Sequence, residues 1–277
     1  MKLSLSPVVR KILKIISLII LIVTVVTFWS FLAYAVLIDS GSDVASSDQD
    51  DYCNVAKVDL YGDLYTYIRE DENCPGCSSS EDIVNQIRAA EKNSDIKAIL
   101  LAVDSTGGAP VSAQEIANAL KRAQKPTAAW IRESGMSAAY FAATGANRII
   151  ASDFSDVGSI GITSSYVDNS VKNQKEGLTF NQLSIGKYKD TGNANKPLTA
   201  DERKMAMADL QVGYNIFVNS VTANRHLDVA KVRALADGNT MKGQKALENG
   251  LIDQIGGIDE VLAYLKDRIL EEPILCQ

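Results

Sequence analysis

Hydrophobic and polar positions divide the chain into four stretches. Residues 1–14 carry Lys2, Arg10, Lys11 and Lys14, and the apolar run Ile15–Ile38 that follows contains no charged residue. As a helix that run would extend roughly 36 Å at about 1.5 Å per residue, enough to cross the ~30 Å hydrocarbon core of a bilayer. Asp39, Asp43, Asp48, Asp50 and Asp51 come next, with no Lys or Arg among them. Positive charge before the run and negative charge after it predict a cytoplasmic N-terminus, with everything beyond Ile38 outside. The expected arrangement is a single-pass anchor, 15–38, in the inner (plasma) membrane, with the remaining chain on the periplasmic side. Ala33-Tyr34-Ala35 has the small-x-small form of a signal-peptide cleavage site. The apolar run, however, exceeds the roughly 7–15 residues usual in such peptides, which favours an uncleaved anchor. Residues 39–52 are small and acidic and read as a solvated tether.

From residue 53 to 277 the pattern changes to alternating strand and helix signals. Val55–Leu60, Ile96–Val103, Thr127–Ile131 and Arg148–Ala151 are short, mostly apolar runs that predict buried strands, and Leu178–Ser184 predicts another. Between and after them lie helical patterns. Ser80 is expected to cap a helix to about Lys92, Val111–Ala123 places Ile116 and Leu120 inward, and a short helix begins near Ser137. Thr199 and Glu202 form a capping-box pattern at the head of a long helix to about Asn224, and Val229–Ala236 and Ile258–Leu270 complete the set. Repeated β-α alternation with apolar strands predicts one α/β domain, a mainly parallel sheet flanked by helices on both sides.

Composition narrows the function. The net charge of −6 and the lack of a basic block beyond the membrane flank exclude nucleic acid as an expected partner. Cys53, Cys74, Cys77 and Cys276 suit an oxidising exterior, and their three full pairings remain open. Cys74-Pro75-Gly76-Cys77 has the spacing of a redox motif but lies in a polar stretch, so structural disulfides are the plainer reading, with Cys276 a candidate to pin the C-terminal tail.

In parallel α/β sheets chemistry collects at the strand C-termini, and three candidate elements fall there. Gly107-Gly108 follows a buried strand. Its N–H groups suit an oxyanion, although a plain strand-to-helix turn would also use glycine. Ser137 opens a helix among small residues, where the free amide of Ala138 is available beside it; an ordinary N-cap serine is the plainer alternative. Ser159 lies in Gly158-Ser159-Ile160-Gly161. A hydrolytic serine needs a base, and the chain has one histidine, His226, at the apparent end of the long helix. A lysine made neutral by burial is the alternative. Lys187 and Lys189 in Gly186-Lys187-Tyr188-Lys189-Asp190 share a face in an extended segment, so spacing does not choose between them.

Together these residues resemble the signal peptide peptidase A group, membrane-anchored serine peptidases with a Ser/Lys dyad. The resemblance runs from about Val55 to Leu265. It rests on Asp104–Gly108, Gly135–Phe141, Gly158–Gly161, Gly186–Asp190, Gly243-Gln244-Lys245-Ala246, Gly250-Leu251-Ile252-Asp253 and Gly256. It implies a Clp protease/crotonase-like fold with Ser137 as nucleophile and Lys189 as base. It further implies Gly108 and the Ala138 amide at the oxyanion, Ser159 positioning the lysine, and no metal or cofactor. Two departures stand out. Thr106 occupies the place of a proline, and a shorter small-residue run ending in Ser137-Ala138-Ala139-Tyr140 that of a longer one ending in Ser-Gly-Gly-Tyr. Matching Tyr140 and Ala146-Asn147 puts the gap before Ser137, and a different placement of that gap makes Ser134 the alternative nucleophile.

The implied activity is serine endopeptidase hydrolysis of extended apolar peptides, such as signal peptides left in the membrane after processing. Single-domain relatives imply homo-oligomeric rings with the dyad completed between neighbouring subunits. Two rivals remain: a catalytically inactive scaffold of the same fold binding membrane partners, and a crotonase-like acyl-CoA enzyme. The expected external location disfavours the second.

Overall fold

The computed structural model describes residues 21–30, 52–68, 74 and 76–276. Residues 1–52 and 53–277 form separate compact units. In the first, residues 21–30 are helical (α1); the rest of the expected span Ile15–Ile38, the residues before it and the tether up to residue 51 lie outside the described residues. Among the described residues no helix is long and apolar enough to cross a membrane.

The second unit is built on a mainly parallel sheet. Its strands are β1 (Val55–Tyr65), β2 (Ser78–Ser79), β3 (Ala98–Gly108), β4 (Thr127–Met136), β5 (Arg148–Ala151), β6 (Asp156–Gly158), β7 (Thr240–Lys242) and β8 (Gln254–Ile255). They run in the order β2-β1-β3-β4-β5-β8. Strand β4 is shared. Ala128–Ile131 pair with β5, whereas Ser134–Met136 pair with β6. The β6–β7 pair is antiparallel, the others parallel. This is the expected α/β class.

Helices α2 (Ser80–Lys92), α3 (Pro110–Arg122), α4 (Ala138–Ala143), α5 (Ser170–Lys175), α6 (Ala200–Arg225), α7 (Val229–Leu235), α8 (Gly243–Asn249) and α9 (Ile258–Ile269) complete the unit. Alternation along β3 explains the two-sided core. Ile99, Leu101 and Val103 belong to a cluster with Ile83, Ile87, Ile116, Leu120 and Phe217, whereas Ala98 and Leu100 pack with Val261 and Leu265 of α9. Full burial of each such Leu or Ile contributes roughly 1.5–3 kcal/mol.

Helix starts follow local chemistry. Pro110 begins α3, where its missing N–H costs nothing. The capping box at Thr199 and Glu202 forms as expected. The cap of α2 is Ser79, one residue before the expected Ser80; its side chain accepts from the Asp82 N–H. Leu178–Ser184 forms no strand. Its residues pair with no strand among the described residues and stand exposed, Leu183 at 98%.

Cys53 pairs with Cys276 across a Cα–Cα distance of 5.0 Å, and Cys74 pairs with Cys77. The first bridge closes the unit. The C-terminal tail lies against the start of β1, with Asn54 N–H and Val55 N–H donating to Ile274 O, and Cys276 N–H to Val55 O.

Candidate active site

Three strand ends converge on one cavity of about 550 Å³ whose lining includes Gly108, Ser137, Ala138 and Ser159. Strand β3 delivers Gly107 and Gly108 at φ +118° and +153°. Neither position tolerates a side chain. A Cβ on Gly107 would stand 2.9 Å from Ser137 Cβ, and one on Gly108 would stand 2.1 Å from Leu64 O. Glycine here therefore does more than turn the chain, because it lets β3 lie directly against the start of α4.

Strand β4 delivers Ser137, which has φ 51° and ψ −123° and makes no side-chain capping bond. This departs from an ordinary N-cap serine, which is extended and bonds the first turn. Its own N–H donates to Gly158 O at 2.7 Å, tying the corner to β6. Among the described residues four non-glycines have positive φ: Ser137, Ser159, His226 and Leu270. The last two are helix C-caps, where that conformation is ordinary. Ser137 and Ser159 have no such explanation, and both line the cavity. Strain of this kind concentrates at functional sites.

Helix α4 is wholly buried, so the corner is rigid. Tyr140 donates its hydroxyl to Leu251 O at 2.8 Å, and burial pushes its phenol pKa up. Arg225 grips Asp253 through two bonds of 3.0 and 2.6 Å, and Asp253 also accepts from Ile149 N–H. The Gly250–Asp253 segment thus locks α4, α6 and β5 together. At the first turn of α4 the Ala138 N–H has no intrahelical acceptor, so it can share an oxyanion with Gly108. The cavity walls are apolar and include Val111, Ile162, Tyr214 and Phe217, with Phe217 stacked on Phe141 at 5.2 Å. Sequence reasoning missed these α6 residues. The spacing of Tyr214, Phe217, Val218 and Val221 marks an inward face, but not that part of it borders a site.

Ser159 directs its hydroxyl to Gly238 O at 3.1 Å. Ser134, the alternative nucleophile, lies within β4 with its N–H bonded to Asp104, and is not among the cavity-lining residues. His226 is the left-handed C-cap of α6 and does not line the cavity either.

The lysines separate. Lys187 forms an ion pair of 2.6 Å with Asp201, and that bond, with a further contribution from Tyr188, raises its pKa. It is held as a cation. Lys189 sits in an exposed turn closed by its N–H to Gly186 O at 3.1 Å, and its amine has no hydrogen-bond or ion-pair partner among the described residues. It is absent from the lining of the Ser137 cavity. One chain therefore brings Ser137, Gly108, Ala138 and Ser159 together and leaves Lys189 apart.

The fold and the serine corner define a class. Residues 119–270 match the model of peptidase family S49, and the chain belongs to that family. It is 29% identical, over 76% of its length and 70% of the relative's, to a Methanocaldococcus jannaschii protein assigned as a protease. It is 30% identical to a protein of Enterococcus faecium assigned as signal peptide peptidase SppA, over 67% of this chain and 55% of that one. Protease 4 of Salmonella typhi is 31% identical over 71% of this chain, which spans 32% of that relative. Two solved structures of 1510-N, a membrane-bound stomatin-specific protease, share the fold at 15% identity. One is a serine-to-alanine variant, with TM-score 0.50 over 76% of this chain and 84% of that one. The other is a lysine-to-alanine variant in complex with a substrate peptide, with TM-score 0.51 over 76% and 79%.

Proposed function

We propose that the chain is a membrane-anchored serine endopeptidase in which Ser137 attacks and Lys189 of a neighbouring copy acts as base. The observation that carries this reading is Ser137 itself: a positive-φ serine that caps nothing and lines an apolar cavity beside Gly108 and Ala138. The neutral Lys189 amine takes the Ser137 hydroxyl proton while Oγ bonds to the scissile carbonyl carbon. The oxyanion that forms accepts from the Gly108 and Ala138 amides. Collapse breaks the C–N bond, the lysine returns the proton to the leaving amine, and an acyl-serine ester remains. Water, deprotonated by the same lysine, hydrolyses the ester and restores the hydroxyl.

The apolar walls suit extended apolar peptides, and signal peptides left in the bilayer are substrates of that chemistry. A span at 15–38 would hold the domain on the periplasmic face near them and raise their effective concentration. The chain spans little more than half of the E. faecium relative, so activity and substrate are assigned here from its own residues. The test is Ser137→Ala. Hydrolysis of short unstructured apolar peptides should fall to background while folding and assembly remain. Retained turnover, with loss in Ser134→Ala instead, would transfer the nucleophile to Ser134. Absence of turnover in the wild-type protein itself would leave the inactive-scaffold reading.

A further inference from the structure

The Cys74–Cys77 turn has no part in the mechanism above, yet a chain of contacts runs from it to the oxyanion loop. Gly62 lies in β1 at φ +61°, and a Cβ there would stand 1.7 Å from Gly76 O, so the turn is seated directly on the Gly62 backbone. Gly62 O accepts from Ser105 Oγ at 2.5 Å. Ser105 Oγ accepts in turn from Gly107 N–H at 3.1 Å. Gly107 lies against Ser137 Cβ and the Ala138 nitrogen, close enough that no side chain fits between them. Ser105 is 2% exposed, so its hydroxyl has no competition from solvent. The β1–β3 register shifts between Tyr61 and Asp63, and the β3–β4 register shifts between Val103 and Ser105. The two irregularities meet at Gly62 and Ser105, the kind of local bend that re-aims backbone beside a site. Ser78 closes the other flank, its hydroxyl bonded to both Tyr61 N–H and Tyr61 O.

We propose that Ser105 is a positioning residue for the oxyanion loop, coupling Gly107 to the Cys74–Cys77 turn through Gly62. By engaging the Gly107 N–H, the Ser105 hydroxyl fixes the Thr106–Gly107 peptide plane, the one before the plane that carries the Gly108 N–H, and so limits how far that N–H can turn from the cavity. The disulfide-closed turn holds Gly76 on Gly62 and so keeps the acceptor of Ser105 in place. Oxyanion stabilisation depends on donors set in advance, so this relay acts on the transition state rather than on substrate binding. The inference rests on Ser137 as nucleophile.

The experiment measures steady-state hydrolysis of an apolar peptide, and inhibition by the matching peptide aldehyde, whose serine adduct carries an oxyanion. The proteins are wild type, Ser105→Ala, Cys74→Ser/Cys77→Ser and Ser137→Ala. In Ser105→Ala, kcat should fall by about 10-fold or more, below the ~10²–10³ of losing an oxyanion donor outright. Aldehyde inhibition should weaken by a similar factor while KM changes little. The double cysteine variant should move the same way by a smaller factor. A loss carried by KM, or unchanged aldehyde inhibition, overturns the proposal. Should Ser105→Ala fail to fold, the cysteine variant decides: normal kcat there breaks the relay. An active Ser137→Ala would remove the underlying assignment, whereas an inactive Ser137→Ala beside a normal Ser105→Ala removes this inference alone.

Discussion

Separation of Lys189 from the Ser137 cavity within one chain has a quantitative consequence for mixed assemblies. Ser137→Ala and Lys189→Ala chains are each expected to be inactive alone. In an oligomer containing both, a site built across two chains is intact where a Lys189→Ala chain supplies the serine and its neighbour, a Ser137→Ala chain, supplies the lysine. With random equal mixing each condition holds half the time, so roughly a quarter of sites are restored in a closed ring. The fraction follows the product of the two proportions and falls to about a fifth at a three-to-one mixture. Pairing within a chain restores nothing at any ratio. Two differently tagged variants would be co-expressed, purified through both tags and confirmed as mixed oligomers by native mass measurement. Initial peptide hydrolysis per chain would then be compared with wild type. Mixed oligomers of verified composition that stay inactive at every ratio would refute the shared site, while the separate serine and lysine assignments would stand.

Three further outcomes follow from other parts of the molecule. Lys189→Arg should be inactive, since arginine does not release its proton, whereas Lys187→Ala, which removes the exposed Asp201 pair and the contact with Tyr188, should keep most activity; peptide hydrolysis by the two variants decides this. Replacing Cys53 and Cys276 by serine opens a loop with sequence separation 223, for which the chain-entropy relation gives about 5 kcal/mol. Urea unfolding should show a loss of several kcal/mol, and a change under about 1 kcal/mol would mean the tail's backbone bonds already hold it. Glu202 accepts from Lys196, Thr199 and Thr191, and the Lys196 bond, followed by those from Thr199, holds its carboxyl down at about 2. Its contribution is therefore complete above the ordinary carboxyl range near 4.5 and is lost as pH falls towards about 2. The difference in Tm between wild type and Glu202→Gln should shrink across that window, and a pH-independent difference would refute the assignment.

What the sequence made legible was the part governed by local physics. The buried apolar run of β3, the Thr199–Glu202 box and the small-residue start of α4 each carry their cause in adjacent residues. Elements of two or three residues, such as β2, β6, β7 and β8, gave no such signal, because their pairing is decided by neighbours distant in the chain. Leu178–Ser184 shows the opposite failure. Its composition suits a strand, but a strand also needs a partner, and 178–184 pairs with no strand among the described residues. The choice between Lys187 and Lys189 was illegible for a related reason: both occupy the same face by periodicity, and what distinguishes them is Asp201, on the first turn of α6.

Ser137, Gly108, Ala138 and Ser159 converge because each terminates or follows a strand of one parallel sheet, and the sheet alone brings them together. Lys189 belongs to no strand. The segment before it exposes Leu183 at 98% and Ile185 at 99% to solvent, an arrangement that leaves apolar surface uncovered beside the one lysine of this motif that lacks a partner among the described residues. Burial of those two side chains against a second copy would lower the free energy by roughly 1.5–3 kcal/mol each. The same contact would take the turn that carries the lysine out of water, which is the condition an amine needs to act as a base. Assembly and activation would then be a single event, and an isolated chain would hold a formed oxyanion corner and an idle serine. Hydrolysis per chain should accordingly fall in step with oligomer dissociation on dilution. Undiminished activity in monomers verified by mass would separate the two and return the base to a group within the same chain.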